Sequence, residues 1–380
     1  MKPELFGMTK NGELVPITVG DRLSWAFIPN PLPPHWRVPD SLWPHVVRAR
    51  ALIAELDTLA STLPNPMMFL GALTRREAIK SSTIEGTTIA PEDLLRHEHL
   101  SSVPRPSTDK ALDVREVMNC QDALREGRHR FRDEPIGLRH LCDLHKILLE
   151  GTRSKDKCPG QIRQKQVFVK PYTPPPADTV QNLLQNLEGY IQNSQDVTEP
   201  LIRTFIAHYQ FEAIHPFEDG NGRIGRILLS LMLFKELGLR EPWLHLSGYF
   251  EQHRRDYIAR LLGISTHGDW DEWIEFCVEG TIQEATSAIE KCNRLQTLRR
   301  VYLERFESRS PRAHAILDHL FFFPIIEATD LAALLQVSYN TARADIDHLV
   351  EARILSPRPD TYPKEYVAHE IMEIGFPQGD

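Results

Sequence analysis

Cysteine is scarce, a basic excess is absent, and no long hydrophobic run interrupts the 380 residues. Each absence excludes something. The five cysteines, Cys120, Cys142, Cys158, Cys277 and Cys292, are odd in number and contain no Cys-x-x-Cys pair. That disfavours a disulfide framework or structural zinc and fits a reducing cytoplasm. A net charge of −8 argues against broad affinity for nucleic acid or anionic membranes. No run of about 18 apolar residues occurs, and Met1 to Gly12 lacks the apolar centre of a signal peptide. The chain is therefore expected to be cytoplasmic, with no membrane partner. What remains, 41% apolar and 25% charged, suits a globular protein with room for two or three domains.

What the chain does carry is His215-Pro216-Phe217-Glu218-Asp219-Gly220-Asn221-Gly222-Arg223-Ile224-Gly225-Arg226, ahead of an apolar helix expected from about Ile224 to Leu237. Glycines let backbone N–H groups crowd around an anion, and the free amides of the next helix add partial positive charge. Arg223 and Arg226, three apart, would present two guanidinium forks near one anion. His215 titrates near neutrality, which suits a base that takes a proton from a hydroxyl. Asp219 offers a hard oxygen to Mg²⁺ carried in with a nucleotide. The bland reading of the same string is a glycine helix cap beside a core histidine and two solvated arginines.

The string resembles the signature of the Fic family, His-x-Phe-x-Asp/Glu-Gly-Asn-Gly-Arg-x-x-Arg, and matches all eight specified positions of its twelve. The resemblance implies a mainly α fold, a helical core with a small β-hairpin flap. It also implies transfer of AMP from ATP to a Ser, Thr or Tyr hydroxyl of a protein, possible targets including the chain itself. His215 would be the base and Asp219 the Mg²⁺ ligand. Glu212, Phe217, Glu218, Asp219, Gly220, Asn221, Gly222, Arg223 and Arg226 would surround the nucleotide. Arg254 reads either as a solvated charge or as a further nucleotide contact. Relatives that transfer the γ-phosphoryl group instead lose the second motif glycine, whereas Gly222 is present. Where the family commonly has two tyrosines this chain has Tyr257-Ile258.

In chain order, residues 1–45 are proline-rich and expected to be irregular, and a helical pattern runs from about Leu42 to Pro64. Ser81 and Glu85 lie four apart on one face of a second helix, which Gly86 can stop. Taken alone Glu85 is a surface carboxylate. Fic proteins, however, often carry an inhibitory helix with the pattern Ser/Thr-x-x-x-Glu-Gly/Asn, which Ser81, Glu85 and Gly86 match. The resemblance then implies that Glu85 pairs with Arg226 and competes with the γ-phosphate for one fork. Residues 87–110 read as a polar connection broken by Pro91, Pro104 and Pro106. Two amphipathic helices follow, at Ala111 to Leu124 and Ile136 to Leu149, with His140 and His145 expected to be packed or surface residues. Alternation over Ile162 to Lys170 predicts a short hairpin. It resembles the Fic flap, with Gln166, Val167, Phe168 and Val169 docking an extended piece of the target.

Trp270 to Glu307 reads as one long helix or a helix pair. Residues beyond Pro311 show three short helices and a possible wing, resembling a winged helix-turn-helix. Six Lys and Arg against eleven Asp and Glu in residues 308–380 leave −5, too acidic to neutralise phosphates. An interaction or dimerisation module, a homodimer included, is favoured over DNA binding. The expected division is 1–110 for the N-terminal helical region with the inhibitory helix, 111–300 for the catalytic core and 308–380 for the winged-helix-like domain. Two alternatives remain on the sequence: a hydrolase that removes AMP on the same fold, and a transcriptional or partner-binding regulator acting through the C-terminal domain.

Overall fold

The computed structural model describes residues 3–7, 10–63, 65–99, 109–193, 195–305, 311–359 and 361–377. Pro64, Pro104, Pro106 and Glu307, named above as element ends or breaks, lie outside them. The chain opens on β1 (Gly12–Val19) and β2 (Arg22–Pro29), an antiparallel pair in which Val19 faces Arg22 across Gly20 and Asp21. This corrects the expectation of an irregular residues 1–45. A two-residue loop with positive φ at Gly20 (59°) matches the twist of paired strands, and Pro16 is tolerated because its strand is at an edge.

The helices then follow as α1 (Trp43–Ser61), α2 (Pro66–Ile84), α3 (Pro91–His99), α4 (Asp109–Phe131), α5 (Leu138–Leu149), α6 (Val180–Gln192), α7 (Pro200–Ile214), α8 (Asn221–Glu236), α9 (Ser247–Gln252), α10 (Arg254–His267) and α11 (Trp270–Arg305). α3 lies where a polar connection was expected. Pro91 at its first position and Glu92 and Asp93 in its first turn are helix-starting signals. α11 is one continuous helix. α7 and α8 sit at the centre, with nearly every side chain of both buried, and share one apolar core with α4, α5, α6 and parts of α1, α2, α10 and α11.

No strand forms between α5 and α6. Where the flap hairpin was expected, a single bridge joins Val169 and Tyr172. Side chains take the carbonyls a ladder would use: Arg163 donates to Lys165 and Pro175, and Gln166 Nε2 to Val167 and Pro174. Pro171, Pro174, Pro175 and Pro176 have no N–H to give in return.

After α11 come α12 (Pro311–Phe322), β3 (Ile325–Glu327), α13 (Ala328–Leu335), α14 (Tyr339–Glu351), β4 (Ser356–Pro357), β5 (Glu365–Val367) and α15 (His369–Gly375). The three strands form one antiparallel sheet in the order β3-β5-β4. This unit has its own apolar core, which also takes in Met68 of α2. Among the described residues no helix is long and apolar enough to cross a membrane.

Candidate active site

α7 ends at His215, whose backbone is left-handed (φ 52°, ψ 63°). That conformation is uncommon for a residue with a side chain, and it is held on both sides. The His215 N–H donates to Phe211 (3.0 Å), and its carbonyl accepts Arg163 Nε (2.8 Å). Arg163 is buried without a carboxylate and spends its other donors on the carbonyls of Ile214, Lys165 and Pro175. Burial lowers its pKa to about 10, so it stays charged at neutral pH. The loop after His215 is stapled by Asn221, which accepts the Phe217 N–H (2.8 Å) and donates to the Phe217 carbonyl (2.9 Å). Gly220 then takes φ 77° and opens α8 with no side-chain cap. The first amides of α8 are left for a ligand.

Two cavities meet at this turn. One, of about 320 Å³, is bounded by His215, Gly222, Arg226, Glu212, Tyr172 and Arg254, with Ile258, Leu261 and Leu262 at its apolar end. The other, of about 370 Å³ and mostly polar, is lined by Asp219, Gly220, Arg223, Glu116, Arg153 and Ser154. Glu85 lines both. Its Oε1 accepts Arg226 Nη2 at 2.7 Å, while Arg226 also donates from Nε to the Ser81 hydroxyl and from Nη2 to the Ser81 carbonyl, both at 2.9 Å. Thus Ser81 and Glu85 hold the same guanidinium. A β-carbon on Gly222 would lie 2.2 Å from Glu85 Oε1, so the carboxylate rests against the bare backbone of the turn.

The charges follow from burial and these partners. Desolvation opposes ionisation of Glu85, but Arg226, then Arg223 and His215, hold its carboxyl below the usual range. Burial lowers His215 to about 4, despite a hydrogen bond to the Glu212 backbone, so its imidazole is neutral at pH 7. Burial raises Glu212 to about 7, with Arg226 pulling it back. Arg223 sits 3.6 Å from Glu116, and its Nε and Nη1 have no hydrogen-bond partner among the described residues. Buried donors of this kind invite an anion.

Most of the expected site residues therefore converge: His215, Glu212, Asp219, Gly220, Gly222, Arg223, Arg226, Arg254, Ser81 and Glu85 all lie at these cavities or hold a residue that does. Gly86, with φ 96°, turns the chain after α2 beside the polar cavity, and Arg254 Nε donates to the Ile84 carbonyl at 2.9 Å. Phe217, Glu218 and Asn221 line neither cavity. Phe217 is buried against His145, Glu218 faces Cys158, and Asn221 is spent on the loop. In the flap, Phe168 and Val169 are exposed, whereas Gln166 turns inward.

Sequence reasoning missed several supporting groups. The Ser154 hydroxyl donates to Asp219 Oδ2. Glu116 accepts Thr87 Oγ1 (2.7 Å) and faces both Arg153 and Arg223. His208 Nδ1–H donates to the Gly225 carbonyl, so its Nε2 accepts the Tyr257 hydroxyl (2.9 Å). Tyr257, the tyrosine matching the family's first, is thereby held buried by its hydroxyl while it lines the first cavity. None of these pairs is close in sequence, so local spacing gave no signal.

Residues 135–233 match the Fic/DOC family and residues 43–129 its N-terminal region. The chain is 27% identical over 229 residues to the protein adenylyltransferase Fic of Nematostella vectensis, covering 56% of this chain and 51% of that one. It is 40% identical over 167 residues to a probable protein adenylyltransferase of Aquifex aeolicus, covering 43% and 49%. The matches thus span about half the length of these curated relatives or, for the Culex quinquefasciatus adenylyltransferase, 29%. In fold, the chain resembles a Fic family protein from Desulfovibrio desulfuricans, with a TM-score of 0.58 at 20% identity over 89% of this chain and 98% of that one.

Proposed function

Given that this chain belongs to the Fic/DOC family through residues 43–129 and 135–233, we propose that it transfers AMP from ATP to a protein hydroxyl and that Glu85 restrains the reaction. The observation that carries the reading is the meeting of a neutral imidazole, a bare helix N-terminus and Arg223 and Arg226 at two adjoining cavities, the first of them wide enough for a nucleoside.

His215 accepts the proton of a target Ser, Thr or Tyr as the hydroxyl oxygen bonds to the α-phosphorus and the bond to the bridging oxygen breaks. Pyrophosphate leaves, and AMP stays esterified to the target. Arg223 and Arg226 carry the charge that builds on the leaving group, and the amides of residues 220–222 line it. The left-handed turn fixes where His215 points, and Arg163 fixes the turn. Asp219 is the carboxylate that would hold Mg²⁺, and the Ser154 hydroxyl orients it. When bound, the cation would neutralise phosphate charge. Phe168 and Val169 offer the target an exposed apolar edge, with Val169 lining the cavity that holds His215.

For the C-terminal unit, the order helix, strand, two helices, two strands supports a winged helix, and the acidic balance of residues 308–380 supports its use for interaction rather than for DNA. The test of the transfer reading is His215→Ala: ATP binding should persist while AMP transfer is lost. Full transfer by the variant would remove His215 as the base.

A further inference from the structure

His145 lies outside the twelve-residue motif and is completely buried on α5. Its ring stacks on that of Phe217, with centroids 3.8 Å apart and planes at 6°. Both ring nitrogens are used. Nδ1 accepts the Gly160 N–H at 2.9 Å, and because that amide can only donate, the ring proton is on Nε2, which donates to the Asp219 carbonyl at 2.9 Å. An acceptor at Nδ1 and a donor at Nε2 make this the neutral ring, fixed by its two partners.

A peptide unit is planar and trans, so the Asp219 carbonyl and the Gly220 N–H point in opposite directions. Pinning the carbonyl to a core ring aims the N–H the other way, where Asp219 Oδ1 now accepts it at 2.7 Å. A carboxylate oxygen there stands where a phosphate oxygen would. Turned over, the same peptide would present its carbonyl to the anion and repel it. We propose that His145 is a positioning residue that fixes the 219–220 peptide in its anion-binding orientation and ties it, through Gly160, to the root of the flap.

The proposal deepens the transfer reading and rests on it. Gln and Asn at position 145 separate the two ring nitrogens: a Gln amide reaches the Nε2 place and keeps a donor for Asp219, whereas Asn reaches only the Nδ1 place and keeps an acceptor for Gly160. In a Glu85→Gly background, ATP affinity by calorimetry should stay within about threefold for His145→Gln. It should fall about five- to hundredfold for His145→Asn, the consequence of leaving a buried carbonyl unpaired. Equal losses in both variants, or losses that follow their thermal midpoints, would overturn the assignment. A Glu85→Gly parent that binds ATP and transfers no AMP would sink the transfer reading and leave the comparison of the two variants standing.

Independently, both segments flanking Glu85 are gripped by the C-terminal unit. On α2, Arg75 is 2% exposed, donates from Nε to Glu98 (2.8 Å) and from Nη1 to the Phe322 carbonyl (3.1 Å), and stacks over the Phe322 and Phe323 rings at 4.9 and 5.0 Å. On α3, Leu95 packs with Ile325, Val367 and Met372, Arg96 pairs with Glu365 (2.8 Å) and Glu92 with Arg358 (3.0 Å). Glu85 sits at the bend between two helices that rest on one body. We infer that the C-terminal unit controls how firmly Glu85 seats on Arg226, so that whatever binds that unit tunes the enzyme.

Loosening the grip with Arg75→Gln, or more gently with Arg96→Ala at the rim, should raise AMP transfer about two- to thirtyfold, the usual span of such coupling. Neither should raise it further once Glu85 is Gly. Unchanged transfer in a folded Arg96→Ala protein, or an equal rise in the Glu85→Gly background, would refute the coupling.

Discussion

Replacing Glu85 with Gly deletes a single ion pair and leaves the backbone as it was, because Glu85 already has ordinary helical angles (φ −87°, ψ −1°) and Gly86 makes the turn. That pair is a charge-assisted bond of 2.7 Å to an arginine that is 2% exposed, from a carboxylate side chain that is 41% exposed. Bonds to charged groups contribute roughly 1.5–3 kcal/mol, and partial solvent access brings this one toward about 1–2 kcal/mol. If the γ-phosphate must displace that carboxylate, its removal should strengthen productive ATP binding by about five- to thirtyfold, at about 1.4 kcal/mol per factor of ten. Calorimetry with ATP and ADP reads the effect directly. The gain should be larger for ATP, because Arg226 is proposed to serve the outer phosphates. Glu85→Gln, which keeps the shape and loses the charge, should fall between. Unchanged ATP affinity, or equal gains for ATP and ADP, would refute competition at Arg226.

Ser81→Ala leaves Arg226 its bond to the Ser81 carbonyl and its pair with Glu85, so AMP transfer should rise less than in Glu85→Gly, read by label incorporation. Gly222→Ala would drive a β-carbon against Glu85 Oε1 and to 3.0 Å from Arg226 Nη1; ATP affinity should collapse even when Glu85 is Gly, because the turn itself is filled. With His215 held near 4 by burial, transfer by Glu85→Gly should keep its rate as pH falls from 8 to about 5.5, with the acid limb below the 6.5 of an ordinary histidine. Stability should decline on acidification. His145, His208, His215 and His245 are lowered by burial to about 4, 3, 4 and 3, so between 6.5 and 4 the unfolded chain binds protons that the folded one refuses. Glu77 and Glu212, raised by burial to about 7, work the other way from 4.5 to 7, and the urea midpoint as a function of pH shows whether the histidines prevail. Duplex DNA should show no salt-sensitive affinity tighter than nonspecific levels, and a tight, sequence-selective complex would reverse that view of residues 311–377.

Legibility followed range in sequence. The motif could be read because its chemistry is packed into twelve consecutive residues, and the helix spacing of Ser81 and Glu85 put both on the face that meets Arg226. Long periodic helices such as α7 and α8 were evident for the same reason, although Gly220 starts α8 earlier than the apolar pattern suggested. The N-terminal strands were hidden by prolines that an edge strand tolerates. The flap was misread because alternation signals a ladder only when backbone carbonyls are free, and Arg163 and Gln166 occupy them. Phe217, a specified position of the motif, packs on His145, and Glu218, an unspecified one, faces Cys158, so membership of the twelve-residue string did not by itself place a side chain at either cavity. His145 gave no signal at all, since its partners Gly160 and Asp219 are distant in the chain.

The destination of label decides the central claim. Glu85→Gly incubated in parallel with ATP labelled at the α- or the γ-phosphate, with and without candidate protein acceptors, should place the α-label on protein and release the γ-label as pyrophosphate. Protein carrying the γ-label, or no protein-bound label under conditions where calorimetry shows ATP bound, would contradict it.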